Sequence, residues 1–365
     1  MRVPSGMGTG IFAQPRALTV PSGFEVSVFA AGLEAPRWLA FSPEGVLFAS
    51  IPSQGRVVAL PDRNADGAAD EVVTFADSLY LPHGLAFFSG ALFVAENQRV
   101  VRIAYDPKAA KPQATRVQAI VPNLPTRGGH WTRTITFGPD GKLYVSVGSS
   151  CNSCVEDDSR RAAITRYNAD GSGERVYAKG LRNSVGLTWR PGTSELWATD
   201  NGRDNLGDDL PPDEINVIRD GVDYGWPYCY GNRVPDPELG SASRCASTQP
   251  PVVALQAHSA PLGLAFYSGT QFPAEYRGDL FVAFHGSWNR SVPTGYKLVR
   301  VRMANGKPTG EVQDFATGWL EGSAAWGRPV DPVVGPDGSL YVSDDSAGAI
   351  YRISYRGGVP TKNAE

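Results

Sequence analysis

Apolar and polar positions alternate along this chain in short runs, and one composite run recurs six times. Each copy is an apolar–small–aromatic triplet, a turn rich in Pro or Gly, and a second apolar run. The first three are Leu39-Ala40-Phe41 with Leu47-Phe48, Leu85-Ala86-Phe87 with Leu92-Phe93-Val94, and Ile135-Thr136-Phe137 with Leu143-Tyr144-Val145. Leu187-Thr188-Trp189 with Leu196-Trp197 and Leu264-Ala265-Phe266 with Leu280-Phe281-Val282 follow, and Val333-Val334 with Leu340-Tyr341-Val342 completes the set. Alternation of this kind predicts strands. Asp-Gly in Gly138-Pro139-Asp140-Gly141 and Gly335-Pro336-Asp337-Gly338 predicts hairpin turns between them. Units of roughly 40 to 50 residues, each several strands long, are the signature of propeller blades. The pattern therefore predicts an all-β chain: a six-bladed β-propeller of four-stranded antiparallel blades.

A further apolar strand precedes each copy, as in Val72-Val73-Thr74-Phe75 and Arg175-Val176-Tyr177-Ala178, and reads as the outer strand of the blade before. Val26-Ser27-Val28-Phe29 has no earlier blade to join. It is expected to pair with the last blade, closing the ring and removing two sheet edges. These features place one propeller domain over 19–357, a flexible leader over 1–18 and a short tail over 358–365. The aromatic spacing lengthens after Trp189, and the Pro-, Asp- and Gly-rich stretch from Asp204 to His258 is expected to carry long loops, where function usually sits.

Composition narrows the class. The net charge of −3, without a basic tract, argues against nucleic-acid binding. No apolar run is long enough to span a bilayer. The four cysteines, Cys151, Cys154, Cys229 and Cys245, suggest two disulfides, most simply Cys151–Cys154 and Cys229–Cys245, although three connectivities are open. Disulfides imply an oxidising compartment, so a periplasmic or secreted location is expected, with any signal peptide absent from Met1 to Val20. Cys151-Asn152-Ser153-Cys154 also has redox or metal spacing, but no second such pair completes a zinc site.

A propeller brings the same loop of every blade to one axis. At that phase, just before the innermost strands, stand Arg37, His83, His130, Arg133, Arg182, His258 and Arg328. Basic groups in equivalent loops predict a cationic mouth suited to an anionic ligand, because Arg pairs with carboxylates through two parallel hydrogen bonds. A neutral His among arginines has its pKa pushed down, which suits a general base near neutral pH.

Five stretches carry a resemblance: Gly128-Gly129-His130-Trp131-Thr132-Arg133, Leu181-Arg182-Asn183-Ser184-Val185-Gly186-Leu187, Asp213-Glu214-Ile215-Asn216, Asp223-Tyr224-Gly225-Trp226-Pro227 and Trp326-Gly327-Arg328-Pro329-Val330-Asp331. Together they resemble the soluble PQQ-dependent sugar dehydrogenases, the soluble glucose and aldose sugar dehydrogenase family, and within it the L-sorbosone dehydrogenase-like branch. The likeness covers about residues 20 to 355. It implies pyrroloquinoline quinone (PQQ) lying over the axis, His130 as general base, Arg182 and Asn183 beside the quinone and Arg328 on a carboxylate. Where the family commonly has a lysine, this chain offers His285-Gly286-Ser287-Trp288-Asn289-Arg290, so Arg290 is the candidate; His83 and Arg133 complete the cofactor set. The resemblance also implies calcium (Ca2+) on the carbonyls of Gly202 and Arg203, and a second calcium site at Glu214 and Tyr224. Oxygen ligands of this kind suit that ion.

The implied function is oxidation of an aldose sugar or sugar aldehyde to the lactone or acid, with hydride passing to the quinone, a small-molecule sugar as substrate and an unidentified electron acceptor. One departure stands out. The family often supports its catalytic His with an Asp, and Ser149 occupies that position here. Asp62-Arg63-Asn64-Ala65-Asp66-Gly67 resembles half of a calcium loop but lacks the closing Glu, since Val73 falls there, so an Asx-rich hairpin competes with a calcium site. Two rival readings remain: a calcium-dependent lactonase-type hydrolase, whose funnel would be dominated by carboxylates, and a non-catalytic ligand-binding propeller.

Overall fold

The computed structural model describes residues 1–109, 114 and 116–357. The tail over 358–365 lies outside them. Six four-stranded antiparallel sheets form the blades, and in each of the first three the four strands follow in chain order. The first strands are Leu39–Phe41, Leu85–Phe88, Arg133–Phe137, Leu187–Trp189, Pro261–Phe266 and Pro329–Val334. Each touches the first strand of the next blade, and the last touches the first, so these strands line the axis of a closed six-bladed ring.

The recurring aromatic positions explain why the blades stack. An aromatic on the second strand of one blade meets the triplet aromatic of the next, edge to face. Phe48 meets Phe87, Phe93 meets Phe137, Tyr144 meets Trp189 and Trp197 meets Phe266, at ring-centroid separations of 5.1, 4.7, 5.1 and 5.3 Å. Tyr341 meets Phe41 at 5.1 Å and carries the series across the closure. Each such pair contributes about 0.5–1.5 kcal/mol beyond its buried area. The hydrophobic core is thus a set of inter-blade layers rather than one centre.

Closure is as expected. Strand Phe24–Ala30 pairs antiparallel with Ala349–Tyr355 and forms the outer strand of the sixth blade. The segment 1–18 differs from its expectation as a flexible leader. Arg2 bridges to Ser27 in parallel, and its backbone exchanges hydrogen bonds with Val26 and Val28 at 2.8 and 2.9 Å. Phe12 and Leu18 are buried in the core that includes Tyr351 and Trp319. The segment thereby covers the outer edge of the closing blade, which an exposed strand would otherwise offer to other chains.

Both expected disulfides are present, Cys151–Cys154 and Cys229–Cys245. The long stretch after Trp189 splits in two. Residues 201–212 form a loop between the second and third strands of blade four, and residues 219–252 form an insertion between its third and fourth strands, Asp213–Ile218 and Val253–Leu255. The insertion is pinned by Cys229–Cys245 and docks on blade three, where Tyr224 N–H donates to the Lys179 carbonyl at 2.9 Å. The Asp62–Asp70 loop is an Asx-rich hairpin. Asp62 accepts from the Asp66 and Gly67 backbone N–H groups, and Asp70 accepts from that of Arg63.

Candidate active site

Two kinds of loop meet at one end of the axis. One kind enters a first strand and carries Arg37, His83, His130, Arg182, Asn183, His258 and Arg328. The other leaves a second strand and carries Ser149, Gly202, His285 and Asp345. Carboxylates at the ends of second strands fix the first kind. Asp200 accepts the backbone N–H groups of Arg182 and Asn183 at 3.0 and 2.7 Å, and Asp344 accepts that of Arg328 at 2.8 Å. The repeat therefore supplies a preformed backbone for each arginine. The signal was in the sequence: Asp200 and Asp344 close equivalent strands, Leu-Trp-Ala-Thr-Asp and Leu-Tyr-Val-Ser-Asp.

These loops enclose a cavity of about 370 Å³ on the axis. Its wall includes His130, Arg182, Asn183 and Arg328 from the predicted set, with Arg37, Gly202 and His285. A larger groove of about 960 Å³ lies between blades two and three, but acids border it (Glu156, Asp157 and Asp158) as well as Arg99, Arg127 and Arg161, and it holds no histidine. The convergent chemistry is in the axial cavity.

His130 is held by its neighbour. Its Nδ1 lies 2.9 Å from the Ser149 carbonyl oxygen and 3.0 Å from the Ser149 hydroxyl. That hydroxyl donates its own proton to the Cys151 carbonyl at 2.6 Å, so both Ser149 atoms act as acceptors towards the ring. Nδ1 therefore carries the proton and Nε2 keeps its lone pair. Burial, then the Arg182 charge, pushes the His130 pKa down to about 4, so the ring is neutral at pH 7.

All five guanidinium N–H groups of Arg182 are engaged. Nε donates to the Asn152 carbonyl at 3.0 Å. Nη1 donates to the Asn201 and Gly202 carbonyls at 3.2 and 2.8 Å, and Nη2 to Asn152 Oδ1 and Asp204 at 2.9 Å each. Arg182 thus brings a fixed, buried positive charge to the cavity. Arg328 is held by the His285 and Gly286 carbonyls, each at 3.0 Å, through Nε and Nη2, and Nη1 has no hydrogen-bond partner among the described residues.

The remaining predicted cofactor residues sit elsewhere. His83 is fully buried behind the wall, between the rings of Trp38 and Trp131. Arg133 is fully buried as the first residue of its strand and donates to the carbonyls of Pro125, His130 and Thr132, bracing the loop that carries His130. Arg290 points out of the cavity to the Asp208 carbonyl and the Asp209 carboxylate, while its neighbours Trp288 and Asn289 line the wall. Trp288 is 73% exposed at the rim, a flat apolar surface beside polar groups.

Gly202, Arg203, Glu214 and Tyr224 come together around a small void of about 20 Å³ that shares Arg182 and Gly202 with the axial cavity. Asp200 lines it too. Glu214 is buried, its pKa raised to about 7 by burial, and Asp200 is raised well above the usual range by burial and by Glu214. The Asn216 amide donates to Glu214 at 3.0 Å, and the Asn216 Oδ1 is buried without a partner. The buried carboxyls of Asp200 and Glu214, which line the void, are the donor chemistry that fits a hard cation; Asn216 stands behind Glu214 and does not line it. The other Glu214 oxygen accepts the Gly231 N–H at 2.8 Å, and the Tyr224 hydroxyl is committed to Val217 and Arg219. Among the described residues, a tight group of Cys and acid side-chain atoms occurs at Cys151, Cys154 and Glu156, but the disulfide uses both sulfurs.

A sequence profile of the TrAA12-like family matches residues 18–356. The chain belongs to this family. An uncharacterized protein of Borreliella burgdorferi is 32% identical over 93% of this chain and 91% of its own length. The pyrroloquinoline quinone-dependent pyranose dehydrogenase of Coprinopsis cinerea is 25% identical over 94% of this chain, which spans 56% of that protein. The holo form of its PQQ domain superposes with a TM-score of 0.81 at 24% identity, covering 97% of this chain and all (100%) of that one. Membership of the TrAA12-like family agrees with the resemblance to soluble PQQ-dependent sugar dehydrogenases, and the shared architecture is the six-bladed ring.

Proposed function

We propose that this TrAA12-like protein is a PQQ- and calcium-dependent dehydrogenase that oxidises an aldose sugar or sugar aldehyde to the lactone or acid. The observation that carries the reading is the His130 ring. One nitrogen is fixed as a donor to Ser149, and the other presents a lone pair in a cavity walled by Arg37, Arg182 and Arg328. Family membership and the pyranose dehydrogenase relative support the same reading.

The cofactor fits the wall. A flat tricarboxylate suits a cationic cavity within the usual size range for small-molecule sites. Arg328, with its free Nη1, and Arg37 are the groups that would hold carboxylates; Asn183 and the Arg182 charge would border the ring system. Gly202, Arg203 and Glu214 are the residues that would hold calcium; the Tyr224 hydroxyl, bound to Val217 and Arg219, would serve only if it turned from them. When bound, PQQ supplies the two-electron acceptor for hydride. His130 Nε2 takes the proton of the reacting hydroxyl, and the Arg182 charge favours negative charge developing near it. Trp288 offers a flat face to the sugar at the mouth.

The arginines and histidines of the wall favour this reading over a lactonase-type funnel. The disulfides agree with a periplasmic or secreted setting. No helix among the described residues is long and apolar enough to cross a membrane. The test is binding. PQQ titrated into metal-free protein should shift in absorbance and bind at least tenfold more tightly once calcium is added. Equal affinity with and without calcium would remove the metal from the proposal, and no binding would remove the cofactor.

A further inference from the structure

His285 lies two blades on from His130, in the loop that leaves the second strand of blade five. Its Nε2 lies 2.9 and 3.0 Å from the two carboxylate oxygens of Asp345, in the equivalent loop of blade six. Asp345 is also bound by Arg37 Nη1 at 2.5 Å, from blade one. Against the upward push of burial, His285 and Arg37 hold the Asp345 pKa below the usual carboxylate range, so Asp345 is ionised and only accepts. His285 Nε2 must then carry the proton, which leaves the Nδ1 lone pair open. Burial keeps the ring neutral despite Asp345, and Arg37 and Arg328 add to that effect.

Three histidines line the axial cavity: His130, His258 and His285. Both nitrogens of His258 are engaged, Nε2 with the Gly207 carbonyl at 2.8 Å and Nδ1 with the Asn289 amide at 3.4 Å. His130 Nε2 and His285 Nδ1 have no hydrogen-bond partner among the described residues, so two of the three histidines are open to accept a proton. The wall also carries Asp204, which is paired with Arg182, and Asp213, whose oxygens accept the Gly202 and Ala260 N–H groups at 2.9 and 3.0 Å. Only His285 has the carboxylate partner that Ser149 does not give His130. A carboxylate fixes the tautomer and raises ring basicity.

The proposed reaction also releases two protons. Oxidation of a carbinol by two one-electron acceptors A is R2CH–OH + 2 A → R2C=O + 2 A⁻ + 2 H⁺. One proton leaves the hydroxyl to His130. With a bound quinone as hydride acceptor, the other would have to leave the cavity when the two electrons pass on to A. Resting on the dehydrogenase reading above, we propose that His285, oriented by Asp345, accepts this second proton through Nδ1 during reoxidation by a one-electron acceptor.

The experiment has two arms. The chain has four histidines, so nitrogen-15 spectra of histidine-labelled protein can be assigned by single substitutions. Without any cofactor, His285 should be the neutral Nε2–H tautomer, and Asp345→Asn should abolish that preference. A doubly protonated ring or the Nδ1–H tautomer at pH 7 overturns the assignment. In the second arm, stopped-flow absorbance separates the half-reactions of the PQQ- and calcium-loaded enzyme. His285→Asn should leave reduction by sugar within about threefold and slow reoxidation by ferricyanide by about tenfold or more, and His130→Asn should do the reverse. Wild-type reoxidation in His285→Asn, or equal loss in both half-reactions, sinks the proposal alone. If no sugar reduces the wild-type enzyme, the dehydrogenase reading falls and this assignment with it, whatever the spectra show.

Discussion

The imidazole Nδ1 of His130 and the carbonyl oxygen of Ser149 are 2.9 Å apart, and this contact sets the tautomer of the candidate base without a carboxylate. The Ser149 hydroxyl, at 3.0 Å, adds a second acceptor. Orientation and charge are thus separated at this site: Ser149 supplies the first and not the second. Because the backbone carbonyl remains, Ser149→Ala should lower kcat by less than about tenfold, matching loss of one neutral hydrogen bond of about 1 kcal/mol. Steady-state dye reduction with saturating sugar checks this. A hundredfold loss would mean that the hydroxyl does more than orient.

The pH profile follows from the ring's burial. His130 must be neutral to accept a proton, and its pKa is lowered to about 4 from 6.5 by burial and by Arg182. The acid limb of kcat/KM should therefore fall with a midpoint near 4 rather than near 6.5, leaving activity flat across neutral pH. Arg182→Gln removes the neighbouring positive charge, so the limb should move to higher pH. An unmoved limb would separate Arg182 from the base.

The two disulfides should separate by phenotype. Cys151–Cys154 closes the short loop bearing Asn152, whose carbonyl and side-chain oxygen both hold Arg182. Cys229–Cys245 closes a longer insertion. Replacing the second pair with serines should lower stability by about 2–4 kcal/mol with kcat little changed. Replacing the first should cost less stability and lower kcat more. Thermal melts and turnover on the same samples check both.

The anchoring of the N-terminal segment has a stability consequence. Phe12 is buried against Tyr351, with ring centroids 6.3 Å apart. Phe12→Ala should destabilise the ring by about 3 kcal/mol, read from chemical denaturation. A change below about 0.5 kcal/mol would mean that the segment does not hold to the blade in solution.

The architecture was legible because it repeats. Period-2 runs and aromatic positions such as Phe87 and Phe137 mark strands that must bury one face against the next blade, and six copies leave one way to stack. The site was legible where a residue's loop phase sets its direction, as for His130, Arg182 and Arg328. It was not legible where direction depends on local loop geometry. Arg290 turns to Asp208 and Asp209, and its neighbour Asn289 faces the cavity instead. Arg133 begins a strand, and it is fully buried bracing the loop that carries His130. His285 and Asp345 lie in loops that leave second strands, so the phase of the loops that enter first strands does not mark them. The segment 1–18 shows no alternation, so the burial of Phe12 and Leu18 appears only in three dimensions.

Arg328 and Arg290 give a paired test of where the cofactor lies. Arg328 lines the cavity with its Nη1 free of hydrogen bonds among the described residues, and Arg290 faces away. Arg328→Ala should weaken PQQ binding by about 10- to 100-fold, the worth of a charge-assisted hydrogen bond of about 1.5–3 kcal/mol. Arg290→Ala should change it less than about threefold. Absorbance titration of each variant checks the pair, and the reverse order would move the cofactor towards the Asp208 loop.

The most direct measurement is turnover by the reconstituted protein. Metal-free protein is loaded with calcium and PQQ and offered a panel of aldoses and sugar aldehydes with a one-electron dye. The account predicts dye reduction with at least one of them, and a fall of about 10²-fold or more in His130→Asn that still binds the quinone. A loaded protein that reduces no dye with any sugar or aldehyde, or a His130→Asn variant with wild-type turnover, would contradict it.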